Sequence, residues 1–132
     1  MSQLIFVYGS LKKGFHNHRV MQAANAVLLS KAQSKDRAFS LFSLGAFPAL
    51  DLAKDDETPF KIEGELYEVP NEGVPIIDRL ESGYNKGKIL INAGEHGLVE
   101  ADVYYLRPYR APRVFPMNRN EESVEWTMKA RE

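Results

Sequence analysis

The stretch FVYGSLKKG, residues 6–14, carries the strongest fold signal in the chain. It continues a short apolar run, Leu4 to Tyr8, which is typical of a strand buried on both faces of a sheet. The strand stops at Gly9 and Ser10, and such a turn leaves backbone N–H groups without ladder partners. N–H groups of this kind can form a nest that holds an anion or an oxyanion. The stretch therefore predicts a central strand followed by a turn; most turns of this kind have no ligand, and the alternative is an anion-binding loop.

Length and composition predict one small globular domain. The chain has 132 residues, of which 44% are hydrophobic and 27% charged, and these values are ordinary for a soluble protein. Seventeen basic and eighteen acidic residues give a net charge of −1, so no global field favours nucleic acid or an anionic membrane. The absence of cysteine excludes disulfides, thiol catalysis and thiolate metal sites.

The first residues show no targeting signal. The start, Met1-Ser2-Gln3, lacks a basic region, and the apolar run after it is too short for a signal peptide. No apolar run approaches the length of a membrane span. We therefore expect a cytoplasmic protein.

Strand patterns dominate the rest of the chain. Apolar or alternating runs predict strands over residues 26–34, 38–44, 61–69, 88–93 and 98–106. The last two flank the turn GEHG, residues 94–97, which is a strong hairpin signal. One face of the final strand would carry Val99, Ala101, Val103 and Tyr105.

Two helices are predicted. Residues 17–24 contain no proline or glycine, and Asn17 is a suitable N-cap. Residues 74–81 have Pro75 in the first turn and Gly83 as a C-terminal cap. The buried face of this second helix would be formed by Ile76, Ile77 and Leu80.

The remaining segments predict connections and a tail. Residues 47–49 resemble a turn, residues 51–58 an exposed loop, and residues 121–132 a short helix. No repeat or linker divides the chain, so we expect a single domain over residues 1–132 with a C-terminal tail from about residue 107. The fold class is α+β: a small mixed sheet, curled towards a barrel, with a few helices that cover its open edges.

The loop motif points to a family. The run YGSLKKG, residues 8–14, with NHRV at 17–20, resembles the γ-glutamylcyclotransferase superfamily and most of all its γ-glutamylamine cyclotransferase branch. Members carry a Tyr-Gly-Ser/Thr-Leu loop directly after the first strand. The resemblance implies the curled barrel fold, and it implies that substrate binds at Tyr8, Gly9, Ser10 and Leu11.

The element IDRLESGY, residues 77–84, is the second signal. Asp78 and Arg79 should face solvent, whereas Glu81 falls where the helix runs into its last turn. The helix dipole disfavours a negative charge there and raises the pKa of the carboxyl group. The residues alone favour a solvated glutamate at the end of a helix over a functional one. Family members place their single catalytic carboxylate in a Leu-Glu-x-x-Tyr element, and the match falls on Glu81, followed by Tyr84.

The resemblance implies an intramolecular reaction. The α-amino group of a γ-glutamyl amide attacks its own γ-carbonyl, which gives 5-oxoproline and a free amine. Because well-oriented intramolecular reactions reach effective molarities of roughly 10⁵–10⁸ M, no nucleophilic side chain, metal or cofactor is needed. One carboxylate with a raised pKa can perform both proton transfers. By position in the family pattern, Tyr105, and next Tyr84, would donate a hydrogen bond to the substrate or to Glu81.

Other interpretations of these residues are weaker. The glycine spacing of residues 9–14 fits a phosphate-binding loop, but Phe15 and His16 stand where that motif needs lysine and a hydroxyl residue. Ser10 is not in a Gly-x-Ser-x-Gly nucleophile elbow. His16 and His18 could bind zinc only with further ligands, and His96 lies in a predicted surface turn, so we expect His18 to cap and pack.

Two features leave the function open. Lys86 stands where the family often has arginine, Gly87 is expected to interrupt the strand, and the tail after Leu106 matches no family feature. We expect Lys12 and Lys13 to lie on a solvent-exposed edge of the protein. The alternative function is a non-catalytic module that binds a small carboxylate in the same barrel.

Overall fold

The structure is a computed structural model that describes residues 2–9, 11–15, 17–43, 48–53, 59–105 and 123–125. These residues form two helices, α1 (His18–Ala23) and α2 (Val74–Leu80). The strands are β1 (Ser2–Val7), β2 (Val27–Ser34), β3 (Phe39–Ser43), β4 (Pro48–Leu52), β5 (Lys61–Pro70), β6 (Asn85–Asn92), β7 (Leu98–Tyr105) and β8 (Ser123–Glu125).

Five strands close into a small barrel. Their order is β1-β7-β6-β2-β5, and β5 pairs back onto β1. β1 runs antiparallel to β5 and parallel to β7, so the sheet is mixed. Closure pairs β5 with β1 over residues 65–70, and β8 pairs with the part of β5 that β1 leaves open. The predicted α+β class and curled barrel are confirmed.

The barrel has one core inside and one outside. Alternate residues of a strand face opposite sides, so Phe6 and Tyr8 point into the barrel while Ile5 and Val7 point towards the helices. This confirms that the first strand is buried on both faces. The predicted face of β7 also lies inside the barrel, packed by Val99, Ala101, Val103 and Tyr105.

One end of the barrel gathers the predicted site. Because β1 and β7 are parallel and β6 is antiparallel to β7, the ends of β1 and β7 meet the start of β6. The β3–β4 hairpin lies near this end and contributes Leu41 and Leu50 to the inside core. The turn after α2 leads directly into β6 at Asn85. Loop, helix end and hairpin therefore converge here.

Helix α2 is held by a close backbone contact and a narrow apolar stripe. A side chain at Gly73 would collide with the backbone oxygen of Ala24, so glycine lets the segments touch. Val74 and Ile77 are buried. Ile76 and Leu80 are 40% and 41% exposed, so their predicted burial is wrong. A helix of seven residues packed at its start buries only one residue per turn.

Both predicted caps differ from expectation. Asn17 occupies the N-cap position, but its side chain makes no capping hydrogen bond. Gly83 does not have the positive φ of a left-handed cap. Instead the helix ends in a further turn, in which the Glu81 N–H donates to Ile77 and the Tyr84 N–H donates to the Glu81 carbonyl, at 3.0 and 2.9 Å.

Three other predictions are corrected. Residues 48–52, expected as turn and loop, form β4; proline is tolerated at the first position of a strand. Residues 123–125, expected in a helix, form β8, which pairs in parallel with β5. Gly87 does not interrupt β6, because it pairs with Val103 inside a continuous strand. Among the residues described, no helix has the length and apolar character that a membrane crossing requires.

Candidate active site

The loop after β1 is a tight turn at the barrel end. Tyr8, Gly9 and Leu11 are buried, whereas Ser10 lies outside the described residues. The N–H of Lys12 donates to the carbonyl of Gly9 at 3.0 Å, which closes the turn. The sequence prediction of a turn directly after the strand is thus confirmed.

Hydrogen bonds from the body of the protein fix the rest of this loop. The N–H of Lys13 donates to Glu65 at 2.9 Å, and the N–H of Phe15 donates to the carbonyl of Lys12 at 3.0 Å. Nδ1 of His18 lies 3.0 Å from the carbonyl of Leu11; since a carbonyl only accepts, this nitrogen carries the proton. The N–H groups of residues 12, 13 and 15 are thus used internally. These three N–H groups are therefore not available to a substrate.

Lys12 is buried, contrary to the expected solvated edge. It is 3% exposed, and its Nζ lies 3.4 Å from the carboxylate of Glu125 in β8. Burial lowers the pKa of Lys12, and Glu125, Glu65 and Glu63 oppose this shift. The ammonium also lies 5.0 Å from the ring centroid of Phe15. The acidic partners lie on β5 and β8, so the sequence around residue 12 gave no sign of this burial.

Glu81 is partly buried in the turn that follows α2. Burial raises its pKa to about 7 from an ordinary value of 4.5. The direction of the shift is the predicted one, but its cause is desolvation rather than the helix dipole. A carboxyl group with this pKa is populated in both protonation states near neutral pH.

Tyr8 links the loop to Glu81. Its buried hydroxyl donates to the carbonyl of Tyr104 and accepts from the N–H of Leu50. Burial raises the pKa of Tyr8 well above its usual value, and the nearby Tyr84 and Glu81 raise it further. Tyr8, Glu81 and Tyr84 therefore lie near enough to one another to interact electrostatically.

A second carboxylate on α2 was missed as part of this region. Asp78 was expected to face solvent, and its side chain is 45% exposed, but it also accepts a hydrogen bond from the Tyr104 hydroxyl at 2.6 Å and lies 3.2 Å from Nζ of Lys86. Burial raises the pKa of Tyr104, and so do Asp78 and Glu81 in that order. Lys86, which replaces the arginine of the family pattern, thus contacts Asp78. The spacing of Asp78 three residues before Glu81 was the available signal.

Tyr105 lies at the same barrel end but on another side. It pairs with Asn85, and its ring packs over Gly87, where an added Cβ would be 3.0 Å from the ring edge. The ring borders a cleft of about 520 Å³. The cleft is lined by Asp36, Ala38, Phe39, Leu50, Gly87, Lys88, Ile89, Leu90, Glu100, Val103 and Tyr105. Nothing in the sequence patterns indicated this cleft.

The histidines are engaged in packing where the structure describes them. The ring of His18 lies 6.1 Å from that of Tyr67, and Nε2 of His96 lies 3.3 Å from the carbonyl of Leu29. His16 lies outside the described residues. Within the described part of the chain, no three histidine, aspartate or glutamate side chains are grouped as metal ligands.

Comparison with known proteins identifies relatives along most of the chain. The family model described as "Gamma-glutamyl cyclotransferase, AIG2-like" matches residues 5–128. The match therefore extends into the tail after Leu106, in which the sequence patterns showed no family feature. YkqA of Bacillus subtilis is 30% identical over 106 residues, which are 80% of this chain and 36% of YkqA. The crystal structure of YkqA superposes with a TM-score of 0.68 at 27% identity and covers 86% of this chain.

Two further proteins are similar. The γ-L-glutamyl-butirosin B γ-glutamyl cyclotransferase of Niallia circulans is 38% identical over 84 residues, which are 63% of this chain and 48% of that enzyme. An AIG2-like protein of Mus musculus superposes with a TM-score of 0.69 at 25% identity, over 83% of this chain and 80% of that one. The matched part of the chain thus spans less than half of both bacterial relatives.

Proposed function

We propose that this chain, which belongs to the γ-glutamyl cyclotransferase, AIG2-like family, converts a γ-glutamyl amide to 5-oxoproline and a free amine. One observation carries the proposal: Glu81, whose pKa burial raises to about 7, is near enough to the tyrosine that begins the family's loop motif to raise the pKa of that tyrosine. The name of the Niallia circulans relative supports the substrate class, because that enzyme is named for a γ-glutamyl conjugate.

The γ-glutamyl half of the substrate would bind at the loop. Donors at residues 9–11 suit the α-carboxylate or the γ-carbonyl oxygen, because the neighbouring N–H groups of residues 12, 13 and 15 already donate within the protein. Backbone N–H groups aimed at the carbonyl stabilise the negative charge that develops during attack. Loop residues Tyr8, Gly9, Ser10 and Leu11 are therefore proposed to bind the substrate.

Glu81 would move the protons. Its carboxylate takes a proton from the α-ammonium group, and the freed amine attacks the γ-carbonyl carbon. As the carbon–nitrogen bond of the amide breaks, the protonated Glu81 gives this proton to the departing amine. The second proton, which the ring nitrogen loses when the lactam forms, also passes through Glu81 to the amine, which leaves as an ammonium ion. A pKa of about 7 suits both steps at neutral pH, because neither the acid nor the base form is scarce. Tyr84 lies close to Tyr8, as Glu81 does, and is proposed to orient the substrate.

The test is release of 5-oxoproline, followed by mass spectrometry, from a panel of γ-glutamyl amines and γ-glutamyl amino acids. We expect the wild-type protein to release it and Glu81→Gln to fail, and we expect activity to survive exhaustive chelation. A wild-type protein that binds these compounds but releases no 5-oxoproline would be the non-catalytic module. Loss of activity on chelation, with recovery on adding zinc, would support a metal site at His16 and His18 instead.

A further inference from the structure

The cleft beside Tyr105 is a separate space from the loop and Glu81. It opens where β2 and β6 separate: the two strands pair only at Gln33–Asn92 and Ser34–Ile91. Beyond that point the start of the β3–β4 hairpin lies opposite the first half of β6. Its volume of about 520 Å³ is within the range of small-molecule pockets.

The inner wall of the cleft touches the candidate active site through two residues. Leu50 lines the cleft, and its backbone N–H donates to the hydroxyl of Tyr8. Tyr105 lines the cleft and follows Tyr104, whose carbonyl accepts from the same hydroxyl. Tyr8 in turn lies near Glu81. A substrate held at the loop can therefore extend towards the cleft past Tyr8 and Tyr105.

The lining favours an apolar occupant. Most of the wall is aliphatic or aromatic, and Asp36 and Glu100 are exposed at the mouth. The cation among the lining residues, Lys88, has its Nζ 2.6 Å from the carboxylate of Asp102, so its charge is compensated by the protein. An anionic group would meet two carboxylates and a cation that is already paired.

We propose that this cleft receives the amine half of the γ-glutamyl substrate and selects amines with an apolar chain over amines with an anionic one. The inference rests on the proposed function for the identity of the substrate. It adds that the γ-glutamyl half lies at the loop while the leaving amine lies between β6 and the β3–β4 hairpin, with Tyr105 at the boundary.

The experiment measures binding of intact amides by calorimetry in the Glu81→Gln protein, so that cleavage does not interfere. γ-Glutamyl-pentylamide should bind about 80- to 250-fold tighter than γ-glutamyl-methylamide, because it adds four methylenes and each buried methylene contributes about three- to fourfold. γ-Glutamyl-hexylamide should bind several-fold tighter than the amide of 6-aminohexanoate, which ends in a carboxylate. Equal binding of the methyl and pentyl amides, or a preference for the anionic chain, would overturn the inference.

Two exposed leucines on the β6–β7 hairpin provide a matched pair. Leu90 lines the cleft and is 45% exposed, whereas Leu98 is outside the lining and 54% exposed. Leu90→Glu should weaken binding of the pentyl amide about three- to tenfold and leave the methyl amide unchanged, whereas Leu98→Glu should change neither. Ala38→Phe, which fills the cleft, should have a larger effect of the same kind. Equal effects of the two leucine substitutions would place the amine elsewhere.

The outcomes separate this inference from the proposed function. If the wild-type protein releases no 5-oxoproline from any amide, the proposed function fails, and the binding measurements still decide whether the cleft prefers an apolar chain. If 5-oxoproline is released but chain length and Leu90→Glu have no effect on binding, the inference fails alone.

Discussion

Helix α2 and the turn after it carry two carboxylates with different surroundings. Asp78 accepts a hydrogen bond from the hydroxyl of Tyr104 and lies within 3.2 Å of Nζ of Lys86. Glu81, three residues later, is partly buried, and burial alone accounts for its pKa of about 7. The first carboxylate has the partners that keep an anion in place. The second has the desolvated position that lets a carboxyl group exchange a proton near neutral pH.

The comparison shows how one short segment can provide both structure and chemistry. Tyr104 joins the two regions, because its hydroxyl binds Asp78 and its carbonyl accepts from Tyr8, the neighbour of Glu81. Asp78 is thus suited to fix the wall against which Glu81 lies. Substitutions at the two positions should therefore affect different quantities.

Exchanging each carboxylate for its amide should give the largest contrast. Glu81→Gln should lower kcat for 5-oxoproline release by about 10²–10⁴, because it removes the proton-transferring group and little volume. Asp78→Asn should keep turnover and lower the free energy of unfolding by about 1–2 kcal/mol, since the acceptor of the Tyr104 hydroxyl changes from a charged to a neutral oxygen and the ion pair with Lys86 is lost. Steady-state kinetics and urea unfolding measure the two effects. Near-normal turnover in Glu81→Gln would end the single-carboxylate mechanism.

The pH dependence of the free energy of unfolding should also distinguish Glu81 from Asp78. Because the folded-state pKa of Glu81 is about 7, above its ordinary value of 4.5, the folded protein holds this proton more tightly than the unfolded chain does. The resulting stabilisation is complete below pH 4.5 and is lost as the pH rises through 7; it amounts to about 3 kcal/mol at most.

Urea unfolding between pH 4 and 8 measures this effect. Glu81→Gln cannot lose the stabilisation by ionising, so it should be more stable than wild type at pH 8 and similar at pH 4. Asp78→Asn is the matched control. This variant keeps Glu81, so its free energy of unfolding should still fall between pH 4.5 and 7. A Glu81→Gln protein with the wild-type pH profile would show that Glu81 is hydrated.

The loop beside Glu81 offers a smaller perturbation. Gly9 is buried, and its carbonyl closes the turn with Lys12. Gly9→Val adds a branched side chain there, and we expect kcat/KM to fall about 10²-fold, the loss associated with one displaced oxyanion donor. Ser10→Thr keeps the hydroxyl and is the silent control. Equal kinetics of the two variants would separate the loop from catalysis.

The smallest expected effect comes from Tyr104→Phe. It removes the hydroxyl bound to Asp78 but keeps the backbone carbonyl that accepts from Tyr8. The free energy of unfolding should fall by about 1 kcal/mol, with kcat changed only a few-fold. A loss of turnover as large as that in Glu81→Gln would mean that the hydroxyl of Tyr104 takes part in the chemistry.

Sequence patterns predicted the strands of the barrel, because apolar side chains recur along most of them with a period of two residues. They failed where structure depends on a distant partner. Pro48 suggested a turn, yet it begins a strand that exists through pairing with β3. The charged residues around 123–125 suggested a helix. They form a strand instead, because β1 ends at Val7 and leaves residues 61–63 of β5 for them to pair with.

In the candidate site, too, some residues could be predicted from the sequence and others depend on distant partners. Tyr8, Glu81 and Tyr84 could be named from short motifs. The bond between Tyr104 and Asp78 joins positions 26 residues apart, and no local pattern encodes it. The cleft beside Tyr105 is formed by four separate parts of the chain, so it could be recognised only in the folded protein.

The ion pair between Lys12 and Glu125 has a consequence for how the protein is made. The two residues are 113 positions apart, so a ribosome releases the loop long before it adds the carboxylate that accompanies the buried lysine. Burial of an ammonium group is costly unless acidic groups lie near it, and Glu63 and Glu65 on β5 also favour its charge. The loop that contains Lys12 therefore gains its ion pair with β8 only after residue 125 has been added.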